Sequence, residues 1–301
     1  MAARLLQFGS AAVLFGAPAF YAYCLPDASG RRRDWPRLVL LAAAILALAS
    51  GVVWLSAETA VMTGEAKDAL DPSSIASVLT QSHFGRMWAI RLGLILVTLL
   101  ALALAPSDRP RILWTGTAAM GAALLASLAL TGHGAADDGV AGAIHGLADG
   151  LHLLAAGAWL GALAVLTIIL VRSNRTATPA EAASARIGLE RFSGIGSAAV
   201  AILLLTGLVN SWFLVGFDRV GALLTGLYGQ LLLLKIGLFV GMLALAATNR
   251  FQLTPRLARA FRADSIADAL AALRTSLIAE TTLGVLVLAA VSWLGMLEPP
   301  A

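Results

Sequence analysis

The residues best suited to chemistry in this chain of 301 amino acids lie in one apolar stretch, residues 133–163. On a helix, His145, Asp149 and His152 stand at positions i, i+4 and i+7, so they share one face. Ionisable side chains are costly to place among apolar ones, and within a membrane they mark functional sites by default. Imidazole is a good ligand for copper, zinc and iron. The candidate side chains of the stretch are His133, Asp137, Asp138, His145, Asp149 and His152.

The composition indicates what kind of scaffold positions these side chains. Hydrophobic residues make up 59% of the sequence and charged residues 13%, and the mean hydropathy is +0.85. Soluble domains are about half apolar and about a quarter charged, so this is the composition of a polytopic membrane protein. The net charge of +4 comes from arginines in short loops between apolar runs, which argues against nucleic-acid binding. The single cysteine, Cys24, excludes an internal disulfide and any multi-cysteine metal site.

Eight apolar runs are long enough to cross the ~30 Å hydrocarbon core of a lipid bilayer, which takes about 20 residues of helix. The predicted fold is therefore all-α: a single membrane domain over residues 1–301, built as a bundle of eight transmembrane helices. The first run has its basic cluster after the apolar residues, so we interpret it as a retained helix rather than a signal peptide. The predicted helices lie near residues 5–25, 38–58, 84–105, 112–131, 143–170, 192–215, 228–249 and 276–296.

The distribution of arginine predicts how these helices are oriented. Most arginines lie in the loops after the first, third, fifth and seventh helices. The loops after the second, fourth and sixth helices carry only two basic residues, Lys67 and Arg219. Positively charged loops stay in the cytoplasm, so both termini are predicted to face outward, on the periplasmic side. All the histidines then lie in the outward half of the membrane.

The histidines lie at different predicted depths along the helices, so they could form successive binding positions for an ion. His145 and His152 are ~10 Å apart along a helix, so one small ion cannot readily bind both. His133 and His145, on adjacent helices and at similar depth, are expected to form the entry site, with His83 near it and His152 deeper. For His83 alone, the alternative is an ordinary interfacial residue.

Other side chains are predicted to support this outward site. They are Asp137, Asp138, Glu58, Met87, Asn210 and Lys235. Thioether sulfur selects cuprous copper, but methionine in an apolar helix is more often packing, and that alternative stays open for Met87. Lys235 either snorkels to the interface or pairs with a carboxylate such as Asp149 or Glu58. Glu280 enters the last helix from the arginine-rich side, and its expected neighbours are Arg191, Asn249 and Arg250.

The segment from Leu151 to Leu163, LHLLAAGAWLGAL, closely resembles the hallmark helix of the CopD-type copper-resistance membrane proteins. The resemblance covers nearly the whole chain. It implies a multi-pass protein of the bacterial inner (plasma) membrane that takes part in copper homeostasis. It also implies that the protein moves copper into the cytoplasm beside a periplasmic copper-binding partner. The further matches, in order, are Gly132-His133, Arg191-Phe192-Ser193, Thr206-Gly207 with Asn210, Tyr228-Gly229 with Lys235, Asn249-Arg250, and Glu280.

The predicted function is uptake of copper from the periplasm by a membrane protein that is not an enzyme. Copper is expected to enter through His133 and His145 and to pass inward by way of Asp149 and His152. The sequence has no phosphate-binding loop of the form GxxxxGK[ST], so uptake is not coupled to ATP within this chain. The alternative is a b-type haem protein for electron transfer or tetrapyrrole chemistry, with haem held by His83 and either His133 or His145.

Overall fold

Long apolar helices make up most of the chain in the computed structural model, which describes residues 1–25, 35–105, 110–131, 139–172, 179–215, 221–260 and 266–298. A 3₁₀ turn precedes α3, and a π-helical turn joins α9 to α10 without a break. In chain order the helices are α1 (Ala2–Cys24), α2 (Trp35–Thr63), α3 (Pro72–Gln81), α4 (His83–Leu104), α5 (Pro110–Ala129), α6 (Gly139–Arg172), α7 (Pro179–Val215), α8 (Ala222–Thr225), α9 (Leu227–Thr248), α10 (Thr254–Ala260) and α11 (Ile266–Leu294).

Eight helical segments in the described ranges are long and apolar enough to cross a membrane. They coincide with the eight predicted spans, which confirms the all-α membrane bundle. Two helices begin ten or more residues earlier than predicted: α7 at Pro179 rather than near residue 192, and α11 at Ile266 rather than near residue 276. Apolarity marks only the part of a helix that lies in lipid, about 20 residues. The helices continue beyond that part, toward the arginine-rich end of the bundle.

The centre of the bundle is α1, which packs against α2, α5, α6, α7 and α11. It meets α6 at glycines: a Cβ atom built on Gly16 would lie 2.1 Å from the carbonyl oxygen of Gly157, and one built on Gly161 would lie 2.4 Å from the Cα atom of Gly16. Small residues let helix backbones approach closely in membranes. The glycine contact therefore fixes α6, which carries the candidate site, directly against the central helix.

We expect Gly161→Ala to destabilise the protein by about 1–3 kcal/mol, because the added methyl group would overlap backbone atoms that cannot rotate away. Thermal unfolding of the purified protein in detergent measures the effect. Gly93→Ala is the matched control, since Gly93 also lies inside a membrane helix but a Cβ atom built there has nothing within 4 Å. The control should unfold at the wild-type temperature or slightly above it. Equal midpoints for Gly161→Ala and wild type would contradict the close α1–α6 contact.

The first and last helices bring the two ends of the chain to the same end of the bundle. Arg4 donates a hydrogen bond to the carbonyl oxygen of Gly295, just after α11. The Arg4 guanidinium also lies 4.8 Å from the centroid of the Trp54 ring. An even number of membrane crossings requires this arrangement. That this end faces the periplasm stays a prediction from the arginine distribution.

Candidate functional site

The candidate site lies along a seam between α6 and α7. The two helices run antiparallel, and polar or aromatic side chains of one meet those of the other in reverse order. Each set is spaced so that its members share one helix face. The face of α6 predicted to carry the chemistry is therefore covered by α7. From the predicted outer end inward, the pairs are His145 with Phe213, Asp149 with Asn210, and His152 with Thr206.

The innermost pair assigns the tautomer of His152. The Nδ1 atom of His152 lies 2.9 Å from the hydroxyl oxygen of Thr206. We take its one hydrogen to be donated to the nearer acceptor, the carbonyl oxygen of Ile202 at 2.6 Å, which leaves the hydroxyl oxygen to accept from the ring. His152 then carries its proton on Nδ1 and presents a lone pair at Nε2. Within the described part of the chain, Nε2 has no hydrogen-bond partner, which leaves it available as a ligand.

The two outer pairs hold His145 and Asp149. The His145 ring is only 3% exposed and stacks on Phe213, with centroids 4.6 Å apart and 8° between the ring planes. The Oδ1 atom of Asp149 accepts a hydrogen bond from Asn210 Nδ2 at 3.4 Å. The amide oxygen of Asn210 is buried and has no hydrogen-bond partner among the described residues. An acceptor therefore stays open beside the carboxylate.

Lys235 of α9 faces this seam from the side. Its ammonium group interacts electrostatically with the carboxylate of Asp149 and with the imidazole of His152. Lys235 and His152 also line one cavity of about 290 Å³, together with Ser211 and Trp159. Lys235 was predicted either to snorkel to the interface or to pair with a carboxylate. This arrangement matches the second interpretation, with Asp149 as the carboxylate.

We expect Lys235→Met to destabilise the protein by ~3 kcal/mol, because it removes the cation near a partly buried carboxylate. Thermal unfolding of the purified variant checks this. The double variant Lys235→Met/Asp149→Asn should recover part of the loss, since it removes both charges together. Lys67→Met is the control, because Lys67 is the only other lysine and is exposed. A Lys235→Met protein as stable as wild type would make Lys235 a snorkelling residue.

The other predicted ligands of the outward half lie on α2 and α4, which are not among the main packing partners of α6. His83 is the first residue of α4 and is exposed, and Met87 follows one turn later. Glu58 of α2 accepts a hydrogen bond from Trp54 Nε1 at 3.3 Å and interacts electrostatically with Arg4. Helix α4 packs against α2, α3 and α5, whereas α6 packs against α1, α5, α7 and α11.

The described residues do not bring the predicted ligands together into one metal site. No three His, Cys, Asp or Glu side chains in the described ranges lie close enough to hold an ion between them. His133, Asp137 and Asp138 fall outside these ranges, so the entry pair of His133 and His145 stays a prediction. The described seam does offer a series of single side chains that could each bind a metal ion, at successive depths along α6.

A second polar cluster, centred on Glu280, lies closer to the arginine-rich end. Glu280 is 2% exposed, and its two carboxyl oxygens accept hydrogen bonds from Trp159 Nε1 at 2.8 Å and from Asn249 Nδ2 at 2.7 Å. Asn249 was an expected neighbour, and the contact confirms it. It begins the π-helical turn after α9, a local widening of the helix that is frequent at functional sites. A cavity of about 260 Å³ opens beside these residues and includes Arg250.

Arg91 of α4 is a buried charge on the other side of the bundle core. It is 0% exposed, and its guanidinium donates to the hydroxyl groups of Ser127 at 3.0 Å and Thr131 at 2.6 Å. The guanidinium also lies 5.0 Å from the centroid of the Trp88 ring. Ser127 and Thr131 stand one helical turn apart, which is the one sequence signal for this pocket.

Comparison with known proteins places the chain in a family. Residues 1–143 match the family model described as Copper resistance protein D-like, N-terminal domain, and residues 186–294 match the one described as Copper resistance protein D. Copper resistance protein D of Pseudomonas syringae pv. tomato is 34% identical over 302 residues, covering 99% of this chain and 96% of that protein.

Two further relatives differ in how much they share. Inner membrane protein YebZ of Escherichia coli (strain K12) is 34% identical over 260 residues, 85% of each chain. Copper transport protein CutJ of Bacillus subtilis (strain 168) is 33% identical over 186 residues, 60% of this chain but 33% of that protein. No solved structure matches significantly. Because it is 34% identical to Copper resistance protein D over nearly its full length and matches family models in both halves, this multi-pass membrane protein belongs to the copper resistance protein D family.

Proposed function

We propose that the protein takes up copper from the periplasm into the cytoplasm across the inner membrane. The proposal depends above all on the setting of His152. Its Nε2 atom has no hydrogen-bond partner among the described residues, and its ring lines the cavity of about 290 Å³. Imidazole suits copper, and a ligating histidine usually donates its other ring N–H to an oxygen, as His152 does to Thr206. Two relatives named for copper and one named for the inner membrane support it.

The proposed route passes the ion between single donors by ligand exchange. A periplasmic copper-binding protein delivers it to His133 and His145, with Asp137 and Asp138 beside them and His83 at the rim. Asp149 and Asn210 then lower the cost of the charge on the way to His152, since they supply oxygen acceptors inside the bundle. The protein moves the ion without changing it chemically, so no enzymatic step is assigned.

The uptake proposal is tested with purified protein in liposomes that enclose a copper-responsive dye. Copper added outside should reach the dye faster than in empty liposomes of the same lipid. Accumulation in cells that produce the protein should rise in parallel. Uptake no faster than in the empty liposomes would refute the proposal, whatever the protein binds in detergent.

The orientation is tested separately by cysteine labelling in a Cys24-free background. A cysteine placed between residues 172 and 191 should be shielded from an impermeant thiol reagent in intact cells, because the flanking arginines keep that loop in the cytoplasm. A cysteine placed at residues 137–139 should be labelled. Permeabilised cells provide the control, since both positions should then react. The reverse pattern in intact cells would overturn the outward placement of the histidines, and with it the entry of copper from the periplasm.

The haem alternative gains no support from the relatives, whose names refer to copper or to the inner membrane. Within the described structure, His145 is stacked on Phe213 of α7, whereas His83 lies on α4, which packs with a different set of helices. The absorption spectrum of the purified protein discriminates the two functions. A Soret band would favour haem, and bound copper without that band favours uptake.

A further inference from the structure

Trp159 is a shared wall between the two cavities of the C-terminal helices. The outer cavity contains His152 and Lys235, and the inner cavity contains Glu280 and Asn249. The Trp159 ring lines both and is 4% exposed. Lys235 and Asn249 are ~20 Å apart along α9 at 1.5 Å per residue. Of the residues that line these cavities, Trp159 is the one that both share, so it lies beside the direct path from the outer cavity to the inner one.

The hydrogen bond from Trp159 ties this wall to a buried carboxyl group. Glu280 is 2% exposed, and both of its donors, Trp159 and Asn249, are neutral. Among the described residues it forms no ion pair. A carboxylate that is buried in a membrane bundle without a cation is costly. The cost is removed when the group binds either a proton or a passing cation.

Asn249 lets the same cluster accommodate both forms of Glu280. Its Nδ2 atom now donates to Glu280 Oε2, as an ionised carboxylate requires. Its Oδ1 atom is buried and has no hydrogen-bond partner among the described residues. Rotation of the amide would present Oδ1 to a protonated Oε2 and accept its hydrogen. Trp159 can keep donating to Oε1 in either state, while the rotation moves Nδ2 to the position where Oδ1 now lies without a partner among the described residues.

We propose that Glu280 holds a proton between transport events and releases it when copper passes Trp159. The O–H bond of the carboxylic acid breaks, the proton leaves for solvent by way of the inner cavity, and the carboxylate charge offsets the cation. Rebinding of a proton after the ion has left restores the neutral acid. The proposal rests on copper uptake as the function and adds release of the proton from the inner carboxyl group as a condition for it.

The other charged groups near Glu280 are engaged elsewhere or lie away from it, so the proton is assigned to the Glu280 carboxyl group. Arg250, the other charged residue of the inner cavity, is exposed and donates to the Ser193 carbonyl oxygen at 3.3 Å and to the Ser197 hydroxyl. On α6 and α9, His152 and Lys235 line the other cavity. The remaining charged groups on elements packed against α11 lie toward its ends or on exposed surface: Arg4, Asp149, Arg172, Arg256 and Arg259.

Copper uptake into liposomes is the first test, measured at equal pH inside and outside and at constant free copper. Wild-type uptake should fall as the pH is lowered and Glu280 becomes protonated. At pH values where most Glu280 is protonated, the uptake rate should fall about tenfold for each pH unit. Glu280→Gln resembles the permanently protonated state, so it should be slow at every pH and lack this part of the pH dependence. Glu190→Gln is the control, because it removes an exposed carboxylate paired with Arg186 at 3.2 Å. Its pH profile should match wild type.

Infrared spectroscopy of the purified protein is the second test and needs no transport. A carbonyl band of a neutral carboxyl group should appear on acidification, be absent in Glu280→Gln, and decrease when copper is added to wild type. Should the Gln variant not fold, Glu280→Asp takes its place, and the band should persist at a shifted frequency and midpoint.

Superimposable pH profiles for wild type and a folded Glu280→Gln would overturn the proton site. So would a wild-type spectrum with no titrating band that depends on residue 280. Failure of wild-type liposomes to take up copper at any pH would instead refute the uptake proposal. In that case the infrared titration still decides whether Glu280 binds a proton.

Discussion

His152→Ala is expected to lower copper accumulation about 10- to 100-fold while the purified protein keeps much of its copper binding. The ring lines the outer cavity well inside the bundle. It lies ~10 Å below His145 along α6, too far to share one ion's ligand sphere with it. Loss of His152 therefore interrupts passage after capture. Copper accumulation in cells and equilibrium binding in detergent, measured on the same variant, separate the two steps.

The outer histidines should show the opposite pattern. His133→Ala and His145→Ala are each expected to weaken copper binding by the purified protein, because they remove donors from the entry site itself. If His152→Ala alone abolished binding while both outer variants bound normally, the capture site would lie deeper. Entry through the outer loop would then be wrong.

Thr206→Val is expected to reduce copper accumulation about tenfold, although Thr206 is not itself proposed to touch copper. Valine keeps the shape of threonine but cannot accept the Nδ1–H of His152, which now lies 2.9 Å from the hydroxyl oxygen. The ring would lose both its orientation and the preference for the tautomer that leaves Nε2 free. Nitrogen NMR of labelled histidine checks the tautomer directly, and the same accumulation assay checks the consequence.

Thr206→Ser is the matched control for this position. Serine keeps the hydroxyl group and loses only a methyl group, so it should retain the Nδ1–H tautomer and most of the accumulation. Equal accumulation by wild type and Thr206→Val would show that the ring does not depend on this hydrogen bond. A defect of the same size in Thr206→Ser would trace the effect to packing.

The eight helices could be predicted from sequence because a span of about 20 apolar residues is a local property. The shared face of His145, Asp149 and His152 is equally local, since it depends only on helical periodicity. Thr206, Asn210 and Phe213 show a similar spacing along α7, but sequence alone does not say which two helices meet.

The cluster around Glu280 shows where local reasoning ends. Its bond to Trp159 joins residues 121 positions apart, and the π-helical turn at Asn249 has no simple sequence signature. The burial of Arg91 is hidden from the sequence for a related reason: a basic residue near a predicted helix end suggests the lipid headgroups. Its partners are Ser127 of α5 and Thr131 just after that helix, so only the packing of α4 on α5 shows that the charge is buried.

The glycine contact between α1 and α6 also has a consequence for how the protein is made. The ribosome delivers Gly16 first, but its partner Gly161 emerges only after α2 to α5 have been synthesised, on the order of ten seconds later at ~5–20 residues per second. Throughout that interval the grooved side of α1 has lipid or the insertion machinery beside it instead of α6. The nascent N-terminal half thus waits in the membrane as an incomplete intermediate. Ribosome stalling or premature termination before α6 would leave a product that membrane quality control can distinguish from the finished bundle.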